Sequence, residues 1–253
     1  LRKIDVERGR NGNITSGSAA ASQAAAQEAP TLLSLPPESY PLTHIGQVGA
    51  EAFWRYLIQD RRLSEHEVVS HQMRFALRGR YRNRVIVPVF VGEQLVTFVA
   101  RTITKVDVPK VLRPEASSPA DPLFNIDRLL PTGEAIIVEG VFDAIKVGSG
   151  RAVATLGTRL STDHRILLRA RGVKKVTILW DGDEAGRHAA AEAAHQLHGA
   201  LFETFLALLP EGVDPGSASE SEIFYALLHA EPVQTYLSRY VSEQRLDNLA
   251  GIS

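Results

Sequence analysis

Cysteine is absent from this chain of 253 residues, so neither a disulfide bond nor a cysteine-ligated zinc ribbon can form within it. Long apolar runs are lacking too, since no stretch reaches the roughly 20 residues that a helix needs to cross a bilayer. The chain does not open with the basic and then apolar pattern of a secretion signal. From these absences we expect a cytoplasmic protein that does not enter membranes and holds no zinc of its own.

A strong overall charge is missing as well, because the formal net charge is only −1. The charge is nevertheless unevenly distributed. Between Arg55 and Arg113 twelve basic residues stand against five acidic ones, which gives this stretch a charge of +7. A basic block of this kind is a candidate surface for nucleic-acid phosphates. From charge alone, a solvated arginine-rich face explains it equally well.

The order of patterns along the chain predicts four segments. Residues 1–34 are predicted to be a flexible tail, because residues 11–30 are rich in Ser, Ala, Gly and Asn and poor in large apolar side chains. Residues 35–130 form the basic segment, with a helix from Ala50, a helix capped by Ser64 and Glu67, and a β-hairpin around Gly92.

Residues 131–217 change character, because short apolar strands there alternate with helices. This alternation is typical of a parallel sheet covered by helices. Residues 218–253 are predicted to be helical. We therefore expect an α/β protein, in which an α+β N-terminal subdomain precedes a parallel-sheet α/β domain.

Acidic residues directly follow two predicted strands of this second domain. Glu139 follows the strand AIIV, and Asp181 and Asp183 follow the strand VTILW. If the strands are neighbours, the three carboxylates converge at one edge of the sheet. They repel one another unless a cation is present, and oxygen-only ligands favour Mg²⁺ or Mn²⁺. Each motif alone is more often a surface turn, but their shared position after strands favours a metal site for phosphoryl or nucleotidyl transfer.

These two motifs resemble those of the TOPRIM domain, which is shared by DnaG-type primases, topoisomerases and some nucleases. They read IIVEGVFDAI (residues 136–145) and ILWDGDEAGRHAAAEAA (residues 178–194), and the second form is most similar to primases. The stretches YRNRVIVPVF, FVART, VPKVLRP and LFNIDR precede them in the order found in primases, and LPEGVDPGS follows. The style of LPPESYPL favours phage or prophage versions. The resemblance covers about residues 35–230.

The resemblance implies a role for each matching residue. Glu139, Asp181 and Asp183 would be the main catalytic metal ligands, with Asp143 and Asp214 binding a second ion or orienting water. The cofactor would be Mg²⁺ or Mn²⁺, with two or more ions. A basic groove would hold template and nucleotide phosphates through Asn83, Arg84, Arg101 and Lys110. For Arg84 and Lys110 a surface salt bridge is the competing interpretation.

The resemblance also implies the reaction, which is the synthesis of short RNA primers on single-stranded DNA from nucleoside triphosphates. Primases of this type carry a zinc-binding domain and often a helicase or helicase-binding module. This chain has no cysteine, and only a short segment follows the TOPRIM motifs, so we expect that both parts were either removed or are supplied by separate partners. Two alternatives stay open: a TOPRIM nuclease or topoisomerase-like enzyme that cleaves strands, and a replication module that binds nucleic acid without catalysis.

Overall fold

The chain divides into two units, Leu1–Leu32 and Leu33–Ser253. The computed structural model describes residues within the second unit, namely 33–104, 108–114, 121–157, 159–180, 183, 190–194, 196–197 and 202–239. The predicted tail therefore lies almost wholly outside the described residues. Among the residues that are described, no helix is long and apolar enough to cross a membrane.

The first sheet is antiparallel and has the strand order β1-β2-β3-β4-β5. Two helices, α1 and α2, join its first two strands, and a π-helical turn, Tyr56–Asp60, directly continues α1. The elements are β1 (Ser39–Pro41), α1 (Glu51–Arg55), α2 (Glu65–Ser70), β2 (Arg74–Ala76), β3 (Arg84–Val91), β4 (Gln94–Thr102) and β5 (Val111–Leu112).

The predicted hairpin is confirmed as β3 and β4, which pair from Arg84↔Thr102 to Val91↔Gln94. Pro88 lies in the middle of β3, although proline has no N–H to donate to a sheet. The strand tolerates it because the pairing of β3 with β2 extends only as far as Ile86, which lies opposite Arg74. At Pro88, β3 therefore has a partner strand on one side only. The register then shifts between Val89 and Phe90.

The second sheet has the order β10-β9-β8-β6-β7. Strands β7, β6, β8 and β9 are parallel, and the short β10 adds an antiparallel edge. The predicted α/β class is thereby confirmed, and the two motif-bearing strands, β6 and β8, are neighbours, which meets the condition set in the sequence analysis. The elements are β6 (Glu134–Val138), α3 (Val141–Gly148), β7 (Ala152–Ala154), α4 (Thr162–Ala170), β8 (Lys175–Trp180), β9 (Glu203–Leu208), α5 (Glu220–Leu228) and β10 (Glu231–Pro232).

Short helical pieces complete the described chain. A 3-10 turn, Ile126–Arg128, precedes β6, and residues 190–194, 196–197 and 233–239 are also helical. Serine side chains cap three of the helices: Ser64 begins α2, Ser161 begins α4 and Ser219 begins α5, each accepting a hydrogen bond from the backbone N–H three residues on.

One apolar core connects the two sheets. It contains Trp54 and Leu57 from α1 and the π-helical turn, Val87 from β3, and Val138 and Phe142 from β6 and α3. A second core, around Trp180, fills the other face of the parallel sheet. Trp54 and Trp180 are both buried. The shared core holds the first sheet against the helix that follows β6.

Candidate nucleotidyl-transfer site

Three carboxylates line one cavity at the carboxyl edge of the parallel sheet. Glu139 directly follows β6, Asp143 lies in the first turn of α3, and Asp214 lies in the turn after β9. All three line a cavity of about 340 Å³. The structure thus brings together three of the five acidic residues predicted from the sequence.

Asp143 is held by the start of its own helix. Its Oδ2 accepts a hydrogen bond of 3.0 Å from the backbone N–H of Gly140, which caps α3. A carboxylate in the first turn of a helix is stabilised by the free N–H groups there. This bond fixes the rotation of the side chain, so that the second oxygen, Oδ1, is directed toward Gly216.

Asp214 is held by a tight turn. Its Oδ1 accepts a hydrogen bond of 2.9 Å from the backbone N–H of Ser217. Gly216 lies inside this turn, and a Cβ atom at this position would be 2.6 Å from Asp143 Oδ1 and 3.1 Å from Asp214 Oδ1. The absence of a side chain at Gly216 therefore lets two carboxylates approach the same stretch of backbone.

The other predicted pair follows β8, the neighbour of β6. Asp181 lies outside the described residues, and Asp183 is exposed and is not among the residues that line the cavity. Within the described part of the chain, no three acidic or histidine side chains are close enough to hold an ion. The donors at this edge are carboxylate oxygens only, which fit a hard ion such as Mg²⁺ or Mn²⁺. That Asp181 and Asp183 are metal ligands stays a prediction.

Basic side chains line the same cavity as the carboxylates and form its basic wall, which consists of Arg61, Arg101, Lys110 and Arg113. Two of these, Arg101 and Lys110, are among the four residues that the resemblance predicted for phosphate binding, and Lys110 is exposed. Positive and negative groups in one cavity suit a ligand that carries phosphates and is bridged by cations to carboxylates.

Arg61 was not singled out from the sequence, where it counted only as part of the basic block. Its Nε donates a hydrogen bond of 2.7 Å to the hydroxyl of Tyr56, and its guanidinium lies over the rings of Tyr56 and Phe142 at 5.2 and 5.0 Å. The π-helical turn ends at this residue, with the Arg61 N–H bonded to the Tyr56 carbonyl. Such turns are frequent at functional sites. Here it orients a fixed cation toward the carboxylates.

Lys146 is a second residue that the sequence did not reveal. It lies one turn after Asp143 on α3, and its Nζ is 3.5 Å from the carbonyl oxygen of Gly216. Burial and the nearby Arg62 lower the pKa of Lys146. Three carboxylates oppose this shift, those of Glu220, Asp214 and Asp143. Lys146 therefore lies beside the two acidic residues that face Gly216.

Asn83 and Arg84 are not among the residues that line this cavity. Asn83 adopts a left-handed backbone conformation in the turn before β3, with φ of 57°. Arg84 is buried, and its guanidinium donates hydrogen bonds to the carbonyls of Ala100, Pro109 and Lys110. Burial, followed by the charge of Arg101, lowers the pKa of Arg84. Their predicted contacts with phosphates stay a prediction.

Of the two histidines near the motifs, His188 lies outside the described residues. His164 is buried and completes the cap of α4, because its Nδ1 is 3.2 Å from the backbone N–H of Ser161. This contact gives His164 a structural role at the start of α4.

Comparisons with known proteins show which families and folds this chain resembles. Residues 136–218 match the family described as Toprim-like. The chain is 36% identical over 151 residues to a DNA primase of Halalkalibacterium halodurans, which is 54% of this chain and 24% of that protein. The chain thus spans about a quarter of the length of this curated relative.

Two solved structures have a similar fold. The DnaG primase catalytic domain bound to single-stranded DNA aligns with a TM-score of 0.68 and 23% identity, over 79% of this chain and 78% of that one. The Aquifex aeolicus primase, comprising zinc-binding and RNA polymerase domains, aligns with a TM-score of 0.56 and 26% identity, over 79% of this chain and 54% of that one.

Residues 136–218, which include strands β7, β8 and β9, are similar to the Toprim-like family. Over 79% of its length the chain has the fold of the DnaG-type primase catalytic core, which confirms the resemblance found in the sequence. Its phage origin and the exact limits of its domains stay predictions.

Proposed function

We propose that this chain is the catalytic core of a DNA primase, which makes short RNA primers on single-stranded DNA by metal-dependent nucleotidyl transfer. One observation carries the proposal: a single cavity is lined both by the carboxylates of Glu139, Asp143 and Asp214 and by the basic wall. The similarity to DNA primases supports the same reaction. The proposed location is the cytoplasm.

In this proposal the carboxylates hold divalent cations, which would lower the charge cost of the attack of a 3′-hydroxyl on the α-phosphate. Glu139, Asp181 and Asp183 are the main ligands, and Asp143 and Asp214 serve a second ion or its waters. Arg101, Lys110 and Arg61 bind the phosphates of the nucleotide and the template, and so orient the reacting groups. No side chain needs to act as a nucleophile.

The partners are proposed on the same basis. A structural neighbour has been solved with single-stranded DNA bound, and another comprises a zinc-binding domain next to its polymerase domain. We propose single-stranded DNA as the template, nucleoside triphosphates as substrates and a zinc-binding domain on a separate chain or segment. A replicative helicase is a further expected partner.

The test compares two substitutions on the same strand. Glu139→Gln removes a carboxylate at the carboxyl end of β6, whereas Glu134→Gln does so at its opposite end, where Glu134 forms only an exposed ion pair with Lys175. Primer synthesis is measured on single-stranded DNA with labelled nucleoside triphosphates and Mg²⁺ or Mn²⁺. We expect Glu139→Gln to lower the rate at least about 100-fold, a loss of about 2.7 kcal/mol, and Glu134→Gln to leave it within about twofold.

Two other outcomes, both seen with the unchanged protein, would contradict the proposed function. If the unchanged protein makes no primer, with or without an added zinc-binding domain, but cuts the template in a metal-dependent manner, then the proposed function is wrong and a nuclease is favoured. If it binds single-stranded DNA without either reaction, the chain is a nucleic-acid-binding module.

A further inference from the structure

Arg84 is a buried arginine at the first position of β3. Only 4% of its surface is exposed, so it has almost no access to a phosphate outside the protein. Its guanidinium instead donates hydrogen bonds to three backbone carbonyls within the fold. Nη2 donates to the Pro109 carbonyl at 2.7 Å, and Nη1 donates to the carbonyls of Ala100 and Lys110 at 3.1 and 3.3 Å.

The three carbonyls belong to the two chain segments that carry the predicted phosphate-binding residues. Ala100 precedes Arg101 in β4, and Pro109 and Lys110 lead into β5. Strand β5 contains only two residues, and its pairing with β4 consists of Ala100↔Leu112 and Arg101↔Val111. So short a strand fixes its neighbours weakly. The planar guanidinium of Arg84 bonds to both segments, and its bonds to the Pro109 and Lys110 carbonyls fix the backbone on either side of Lys110.

The position of this backbone decides where the Lys110 ammonium can reach. Lys110 is exposed, and both Lys110 and Arg101 line the cavity that also contains Glu139 and Asp214. The Lys110 carbonyl also accepts a hydrogen bond of 3.1 Å from the backbone N–H of Thr102. Without the guanidinium, the three carbonyls would lose this donor, and the segment at Lys110 would keep only the short ladder and the bond from Thr102.

We infer that Arg84 is a positioning residue, which sets Lys110 and Arg101 against the carboxylate edge and does not itself contact phosphate. This inference deepens the proposed function, on which it rests for the identity of the phosphate ligand. It assigns to Arg84 a role different from the direct phosphate contact expected from the sequence.

A double-mutant cycle distinguishes a positioning residue from a direct contact. The affinity for a fluorescently labelled oligothymidylate is measured at low salt for Arg84→Met, Lys110→Met and the double variant. We expect each single change to weaken binding about three- to tenfold, and the double variant to be no more than about twofold weaker than Arg84→Met. If the two losses multiply, Arg84 binds phosphate independently and the inference is wrong.

Arg82→Met is the matched control, because Arg82 is an exposed arginine two residues before Arg84. It removes the same charge without removing any of the three carbonyl contacts. A loss of affinity in this control equal to that of Arg84→Met would show that only the general charge matters, which would contradict the inference.

A second readout does not depend on nucleic acid. Trypsin cleavage after Lys110, followed by mass spectrometry, should be about tenfold faster in Arg84→Met than in the unchanged protein and in Arg82→Met, because the backbone at Lys110 is released. An unchanged cleavage rate would overturn the inference even if DNA binding were lost. Should Arg84→Met fail to fold, Arg84→Lys, which keeps the charge but not the fork, takes its place. A protein that does not bind DNA at all refutes the proposed template and leaves this cleavage test intact.

Discussion

Gly216 lies where the carboxylates of Asp143 and Asp214 approach the same stretch of backbone. Each carboxylate has one oxygen bonded to a backbone N–H, that of Gly140 or of Ser217. Neither can therefore rotate away from an added methyl group without losing a hydrogen bond. Because a Cβ atom would lie 2.6 Å from Asp143 Oδ1, the substitution Gly216→Ala must displace at least one carboxylate.

We expect Gly216→Ala to lower primer synthesis about tenfold or more, and to reduce the rise in melting temperature that Mn²⁺ produces, because a ligand that binds the folded state more weakly stabilises it less. The strain should cost about 1–3 kcal/mol of stability. Gly157→Ala is the control for stability, since a Cβ atom there meets none of the described atoms within 4 Å. An unchanged Mn²⁺ response in Gly216→Ala would mean that these two carboxylates do not hold the ion.

At the scale of single residues, the sequence predicted the acidic side chains but not the residues that surround them. Glu139 was predicted because it directly follows a recognisable strand, and Asp143 because it lies in the same motif a few residues later. Arg61, Lys146 and Gly216 were not, because their importance arises only when segments distant in sequence meet at the cavity. Arg61 had one local signal, its place at the end of a helix rich in aromatic residues, but no sequence pattern distinguishes the π-helical turn that orients it.

His71 connects two elements, since it caps the end of α2 and reaches the end of α3. Its Nδ1 is 2.7 Å from the Glu67 carbonyl, an acceptor only, so Nδ1 carries the proton. Its Nε2 is 3.1 Å from Ser149 Oγ and accepts the hydroxyl proton. The ring also stacks on Phe124. The neutral imidazole thus satisfies both contacts.

Burial, as the largest cause, lowers the pKa of His71 below its usual 6.5, and the charge of Arg128 acts in the same direction. The unfolded chain therefore binds a proton more readily than the folded one. The contribution of His71 to the stability of the fold is therefore fully present above about pH 6.5. It is lost as the pH falls from there through the lower pKa of the folded state. We expect urea unfolding to show a lower free energy at pH 5.5 than at pH 7.5, and this difference to shrink in His71→Gln.

His164 also makes the fold less stable at low pH, because burial lowers its pKa as well. The pH dependence of His71→Gln should therefore be reduced and not abolished. If the variant keeps the full difference between the two pH values, His71 titrates in the folded state as it does in the unfolded chain, and the proposed connection between α2 and α3 is not sensitive to pH.

The elements themselves were largely predictable. The hairpin of β3 and β4, the cap at Ser64 and the strands β6 and β8 follow from local patterns, which act within a few residues. The pairing of β6 with β8 was only a condition in the sequence argument, because strand order depends on how helices pack across the sheet. The hydrogen bonds of Arg84 could not be predicted from local patterns either, because they join residues 16 to 26 positions apart in the sequence.

At the scale of the whole molecule, the two sheets share an apolar core. Trp54 and Leu57 from the first half pack in the same cluster as Val138 and Phe142 from the second. Separating the halves would expose this surface to water at a cost of about 25 cal/mol per Å² of apolar area. We therefore expect the described unit to unfold as one cooperative system, although the sequence suggested two consecutive segments.

The two tryptophans of the chain provide the test, because each reports on a different core. Trp54 lies in the core that the two sheets share, and Trp180 lies in the core on the other face of the parallel sheet. In Trp54→Phe only Trp180 fluoresces, and in Trp180→Phe only Trp54 does. For each variant, urea unfolding followed by fluorescence should coincide with unfolding followed by far-ultraviolet circular dichroism. Separate midpoints within one variant would show that the halves unfold independently, and the carboxylate edge would then not depend on the basic wall for its stability.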